Sequence, residues 1–91
     1  MTYYRPFTPQ QRRDAMRTYR SFRKHLSMLR REYPPATEGQ RGILEDYREA
    51  VRAMLAELEK SDRQVDVDAL NAADAAARWY GIDYFRSRPA R

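Results

Sequence analysis

The 91-residue chain has no cysteine, which removes disulfides, thiolate nucleophiles and Cys-ligated metal sites while leaving the redox compartment open. Its longest apolar stretch is Ala53 to Ala56, far short of the roughly 20 residues that cross a bilayer, and no charged leader followed by an apolar segment opens it. No membrane attachment is expected, and the expected location is cytoplasmic. Histidine occurs once, leaving His25 as the one side chain that ordinarily titrates near neutrality. Glycine occurs three times and is missing from the acidic run of Asp62, Asp66, Asp68 and Asp74. That run therefore lacks the sharp-turn residue, and the following bidentate glutamate, that a calcium loop requires. Asp62, Asp66 and Asp68 are expected to cap a helix and favour its positive end instead, and neither a metal nor another cofactor is expected.

Large apolar residues are also few. Twelve of the 38 apolar side chains are alanine, so 26 larger ones supply the core, enough for one small domain of roughly three helices. The length argues against a large enzyme with a deep, enclosed pocket.

What the chain has is positive charge, unevenly placed. Residues 1–33 carry nine Arg or Lys against Asp14 and Glu32, for +7, while residues 34–91 carry nine against eleven acids, for −2. Sixteen of the 18 cations are arginine, whose planar fork suits phosphate and carboxylate, although a GC-rich coding bias gives the same ratio.

Three segments carry helical grammar. Thr8, Pro9 and Gln11 form a capping box with proline at the first helical position, and Ala15, Tyr19, Phe22, Leu26, Leu29 and Tyr33 follow at alternating spacings of four and three. This first helix is expected over 9–33, stopped by Pro34 and Pro35. Thr37 and Gln40 repeat the box before Leu44, Tyr47, Val51, Met54 and Leu58, giving a helix over 38–60. The short connection makes the pair an antiparallel hairpin, and its seams match where paired residue numbers sum to 73, as in Leu26 with Tyr47. Met16 and Leu55 widen the seam sideways, toward a third helix or a second copy of the chain. The third helix, shorter and rich in alanine, is expected over 66–80 with Leu70, Ala73, Ala77 and Tyr80 inward. Gly81 ends it in the left-handed conformation, with Ile82 folding back onto Ala77 and residues 83–91 less ordered. The fold class is all-α: a long antiparallel helical hairpin with a shorter third helix, one three-helix bundle over 1–91.

On the wheel of the first helix, Arg13, Arg17, Arg20, Arg23, Lys24, Arg30 and Arg31 share one flank over about 27 Å with no acid between them. Neighbouring like charges repel by a few tenths of a kcal/mol per pair, so the row does nothing for the helix and suggests an anionic partner. Sequence-independent contact with nucleic-acid phosphates is one such use, and an acidic protein surface is another. The competing expectation is a solvated face balanced by Glu45, Asp46, Glu49, Glu57 and Glu59 of the second helix. Two long helices joined by a rigid Pro-Pro turn do not match a helix-turn-helix motif.

The densest group of large apolar side chains is Trp79, Tyr80, Ile82, Tyr84 and Phe85, residue types that dominate interface energetics. It either closes one end of the core or forms a protein-interaction centre, including one for a homodimer. Tyr3, Tyr4 and Phe7 lie outside the periodic segments and are expected at the bundle ends or against a partner. No catalytic residue is assigned: His25 has no evident partner, and Ser21 and Ser27 sit on a helix flank without an oxyanion-stabilising turn. The hairpin and caps are generic to helix packing and point to no particular family.

Overall fold

A computed structural model describes residues 7–87; Tyr3, Tyr4 and the tail beyond Ser87 lie outside the described residues. The fold is all-α, with α1 over Pro9–Glu32, α2 over Glu38–Leu58 and α3 over Val67–Arg86. Both capping boxes form: Thr8 and Thr37 accept from the backbone of Gln11 and Gln40, whose side chains accept in return from the cap backbones. Phe7, just before the first cap, is buried and lies under the Arg12 guanidinium at 5.1 Å, so a cation–π contact stands where an apolar staple would usually sit.

The core runs through Tyr19, Leu26 and Leu29 of α1, Leu44, Tyr47, Val51, Met54 and Leu58 of α2, and Leu70, Ala73, Ala77 and Tyr84 of α3. Helix α2 is the central element, packed against both neighbours. The α1–α2 pair is antiparallel, with Arg12 reaching the Leu58 carbonyl at 2.6 Å and Phe22 meeting Tyr47 edge-on at 6.1 Å. The Tyr47 ring thus rests on Phe22 and His25, at 5.9 Å from the latter, as well as sharing the seam with buried Leu26. Helix α3 takes the side of α1 marked by Phe22 and His25: Arg78 lies over the Phe22 ring at 5.6 Å, and Phe85 meets His25 at 5.8 Å. It does not cover Leu55, which stays half-buried on the other side.

The third helix corrects the expectation at its far end. It does not stop at Gly81; it continues to Arg86 and, at 20 residues, is nearly as long as the 21-residue α2. No described residue takes positive φ, so Gly81 is no left-handed cap. A Cβ there would lie 3.4 Å from the Tyr47 ring. Ala73, Ala77 and Gly81, spaced by four, are all buried, and these small residues let α3 approach α2 closely where larger ones would hold it off. Two polar contacts anchor the extension to the α1–α2 turn. Tyr84 Oη donates to the Tyr33 carbonyl, and buried Gln40 donates through Nε2 to the Ser87 carbonyl at 3.1 Å. Ile82, expected to fold back, is instead 49% exposed.

Leu26 is 7% exposed on the α1 seam. Leu26→Ala is expected to lower unfolding stability by about 2 to 5 kcal/mol through lost burial and the cavity left behind; a urea midpoint unchanged from the parent chain would place this residue outside the core.

Candidate functional site

The apolar stripe of α1 fixes which way its cations point. Tyr19, Leu26 and Leu29 are buried and Ala15, Phe22 and Tyr33 half-buried, so at 100° per residue the opposite face consists of Arg13, Arg17, Arg20, Lys24 and Arg31. Arg23 and Arg30 lie on the flank nearer α2. All seven are exposed. Arg13 donates to Gln10 Oε1 at 2.9 Å, and Arg31 meets its neighbour Glu32 at 3.9 Å. Among the described residues no carboxylate forms an ion pair with Arg17, Arg20, Arg23, Lys24 or Arg30.

The acids of α2 face elsewhere. Glu45 pairs with Arg48 at 4.0 Å and Glu49 with Arg52 at 3.4 Å. Glu57 binds Lys60 at 2.8 Å and accepts from the Asp66 backbone at 2.9 Å, contacts that hold its carboxyl below the usual carboxylate range. The expected balancing of the α1 row by α2 does not take place through ion pairs.

Arg12, unlike the cations of that row, reaches across to the end of α2 and the loop after it. Its Nη1 donates to the Leu58 carbonyl at 2.6 Å, its Nη2 to the Lys60 carbonyl at 2.9 Å and its Nε to Asp62 at 2.8 Å. It thereby satisfies carbonyls left open at the α2 C-terminus.

The sequence pattern missed two members of the basic surface. A groove of about 550 Å³ runs between α1 and α2, with Arg23 and Arg30 on one wall, Arg48 and Arg52 on the other, and Tyr19, Leu26, Val51 and Leu55 as its apolar floor. The available signal was Leu55: residues three and seven positions before it share its flank of α2, and those are Arg52 and Arg48.

The aromatic group divides. Trp79, Ile82 and Phe85 are 56%, 49% and 44% exposed, whereas Tyr84 is buried and Tyr80 half-buried. Tyr84 belongs to the core, and Phe85 lies partly against Tyr33, with ring centres 6.4 Å apart. Trp79 and Ile82, one turn apart, stand on the outer face of α3.

The other polar candidates have structural partners. Asp62 pairs with Arg12 at 2.7 Å, Asp66 caps α3, and Asp74 binds Arg78 at 2.8 Å. The described residues contain no acidic or histidine cluster able to hold a metal and no helix long and apolar enough to cross a membrane. His25 shares a 2.9 Å hydrogen bond with Tyr47 Oη through Nδ1. Burial lowers the His25 pKa and pushes the Tyr47 phenol up to about 12, so the neutral imidazole and neutral phenol are the forms the fold prefers.

That pair sets a pH dependence. Below the ordinary histidine value of 6.5 the unfolded chain takes up the proton first, so stability present above that pH declines as pH falls through it. Between pH 10 and about 12 the unfolded chain loses the phenol proton first, so stability declines as pH rises. His25→Gln is expected to flatten the first decline and Tyr47→Phe the second, read from urea midpoints across pH. The Glu57 contribution falls away only at its own lower range, beneath 4.5. Midpoints independent of pH down to that range would contradict the assignment for His25.

Comparison with protein families, curated proteins and solved structures finds no match for this chain.

Proposed function

We propose that this protein is a non-catalytic binding protein that contacts the phosphate backbone of nucleic acid through α1 without reading base sequence. The observation that carries this reading is the row Arg13, Arg17, Arg20, Arg23, Lys24, Arg30 and Arg31, exposed along one side of α1 and left without a carboxylate from α2. Like charges one turn apart destabilise a free helix by a few tenths of a kcal/mol each, and a polyanion laid along the row replaces that repulsion with attraction. Guanidinium groups on a rigid helix lose little freedom per hydrogen bond to phosphate. Contacts of this kind position a backbone and carry no base information.

Binding to random-sequence duplex DNA is expected with a dissociation constant of about 10⁻⁴ to 10⁻⁶ M at physiological salt, weakening steeply as salt rises. Arg17→Glu combined with Lys24→Glu is expected to abolish that binding while circular dichroism keeps the parent helicity, because both positions are solvent-facing. Unimpaired binding by this double variant would remove the α1 row from the mechanism.

Exposed Trp79, Ile82 and Phe85 support a second reading, an interaction module whose partner is a second copy of the chain. Single exposed apolar residues are ordinary, but a tryptophan with an isoleucine one turn on is the composition of an interface centre. Sedimentation at rising concentration is expected to show self-association that Trp79→Ala weakens by about 2 kcal/mol or more. A strict monomer at the highest concentration would dismiss the homodimer.

A further inference from the structure

We infer that the groove between α1 and α2 seats one strand of single-stranded nucleic acid, so that the two faces of α1 serve different forms of the polymer. The inference rests on the phosphate-binding reading of α1 and narrows it to a ligand class and a place. Arg23 and Arg30 form one wall of the groove and Arg48 and Arg52 the other, so cations from two helices confront the same space. Along each wall the spacing is one or two helical turns, about 6 to 10 Å, which allows a strand to meet several phosphates in succession.

The floor favours a single strand. Half-buried Leu55 puts apolar surface between the arginine walls, with the buried Tyr19, Leu26 and Val51 beneath it. A duplex keeps its bases stacked inside and offers the groove only a charged ridge, which would cover that surface without using it. An unpaired strand offers phosphates to the walls and sugar and base faces to the floor, and guanidinium planes accept stacked bases irrespective of sequence. The acids beside the groove do not close it: Glu45 and Glu49 hold Arg48 and Arg52 at 4.0 and 3.4 Å, and such exposed pairs are weak enough for phosphate to replace. The outer cations Arg13, Arg17, Arg20, Lys24 and Arg31 remain for a duplex, whose convex surface meets a convex helix face.

The test uses the full chain and fluorescein-labelled DNA of one random sequence, as a single strand and as a duplex, with anisotropy recorded at several salt concentrations. The single strand is expected to bind about ten-fold more tightly than the duplex. Arg48→Gln with Arg52→Gln is expected to weaken single-strand binding about five-fold or more and to lower its salt slope by about 1.4, the loss of two phosphate contacts, with duplex binding unchanged. Arg23→Gln alone gives a second, α1-side reading of the same groove, and circular dichroism confirms that each variant folds. Single-strand binding untouched by both groove variants, or a duplex bound as tightly as the strand, overturns the groove assignment and leaves the α1 reading standing. Displacement by polyglutamate as effective as by unlabelled strand also overturns it, since the groove would then select charge alone. Failure of both DNA forms to bind at low salt removes the phosphate reading itself, and the groove with it.

Discussion

The burial of one narrow stripe of α1 against α2 sets the rotation of α1, and the rest of the surface follows from that rotation. Tyr19, Leu26 and Leu29 are the buried residues of α1, and at 100° per residue there is little latitude. Turning the helix toward its α2-side flank far enough to expose Leu29 would bring Arg23 or Arg30 toward the interior, where no described carboxylate forms an ion pair with either. Burying a guanidinium without a partner is far costlier than exposing a leucine. The cations therefore help specify the packing, because a rotation toward the Arg23 and Arg30 flank would take two of them out of water.

Helix α3 is held by a different device. Its inner face is made of small residues, Ala73, Ala77 and Gly81, which contribute less apolar area than leucines but permit backbone approach to Tyr47. A glycine inside a helix costs about 1 kcal/mol relative to alanine, and here that cost is set against dense contact with an aromatic ring. The hydroxyl of Tyr84 and the amide of Gln40 then join the end of α3 to the turn and to the start of α2. At the opposite end of the bundle Arg12 binds the carbonyls that close α2. Both ends of the bundle are thus secured by polar side chains reaching main-chain carbonyls, and the apolar seam fills the length between them.

What could be read from the sequence was what has a short-range cause. The capping boxes at Thr8 and Thr37, the stop at Pro34, the seams of α1 and α2 and the outward row of arginines all follow from spacings within one helix. Gly81 reads as a cap in sequence because a glycine near a helix end usually marks one, and only the position of Tyr47 on another helix reveals that closeness, not left-handed φ, is the reason for it. Tyr84, placed beyond that expected helix end, has two places open to it from the sequence, the end of the core or an interaction centre, and it lies in the core. Arg48 and Arg52 looked like ordinary members of a mixed-charge helix, since their convergence with Arg23 and Arg30 exists only once the hairpin has formed. Phe7, buried against the start of the bundle, takes the first of its two expected places, a bundle end rather than a partner's surface, a choice that no periodic neighbour could make in advance.

The electrostatics of this molecule depend on arrangement more than on its formal charge of +5. At physiological salt the screening length is about 8 Å, shorter than the roughly 27 Å row on α1, so the row does not act as one field. Each cation feels those about one or two turns away, and a polyanion would be held by successive local sets. In the groove, cations are neighbours across two helices as well as along each, which makes repulsion there more local and less easily screened. Glu45 and Glu49 moderate it from the outer side of α2, at 4.0 and 3.4 Å from their arginines, but exposed pairs of this sort contribute at most about 1 kcal/mol. A free protein can tolerate that balance because both walls still face water. An anion entering between the walls exchanges weak ion pairs for contacts from both sides at once, which is why opposed arginines on two helices are a stronger indication of a ligand than the same number spread along one.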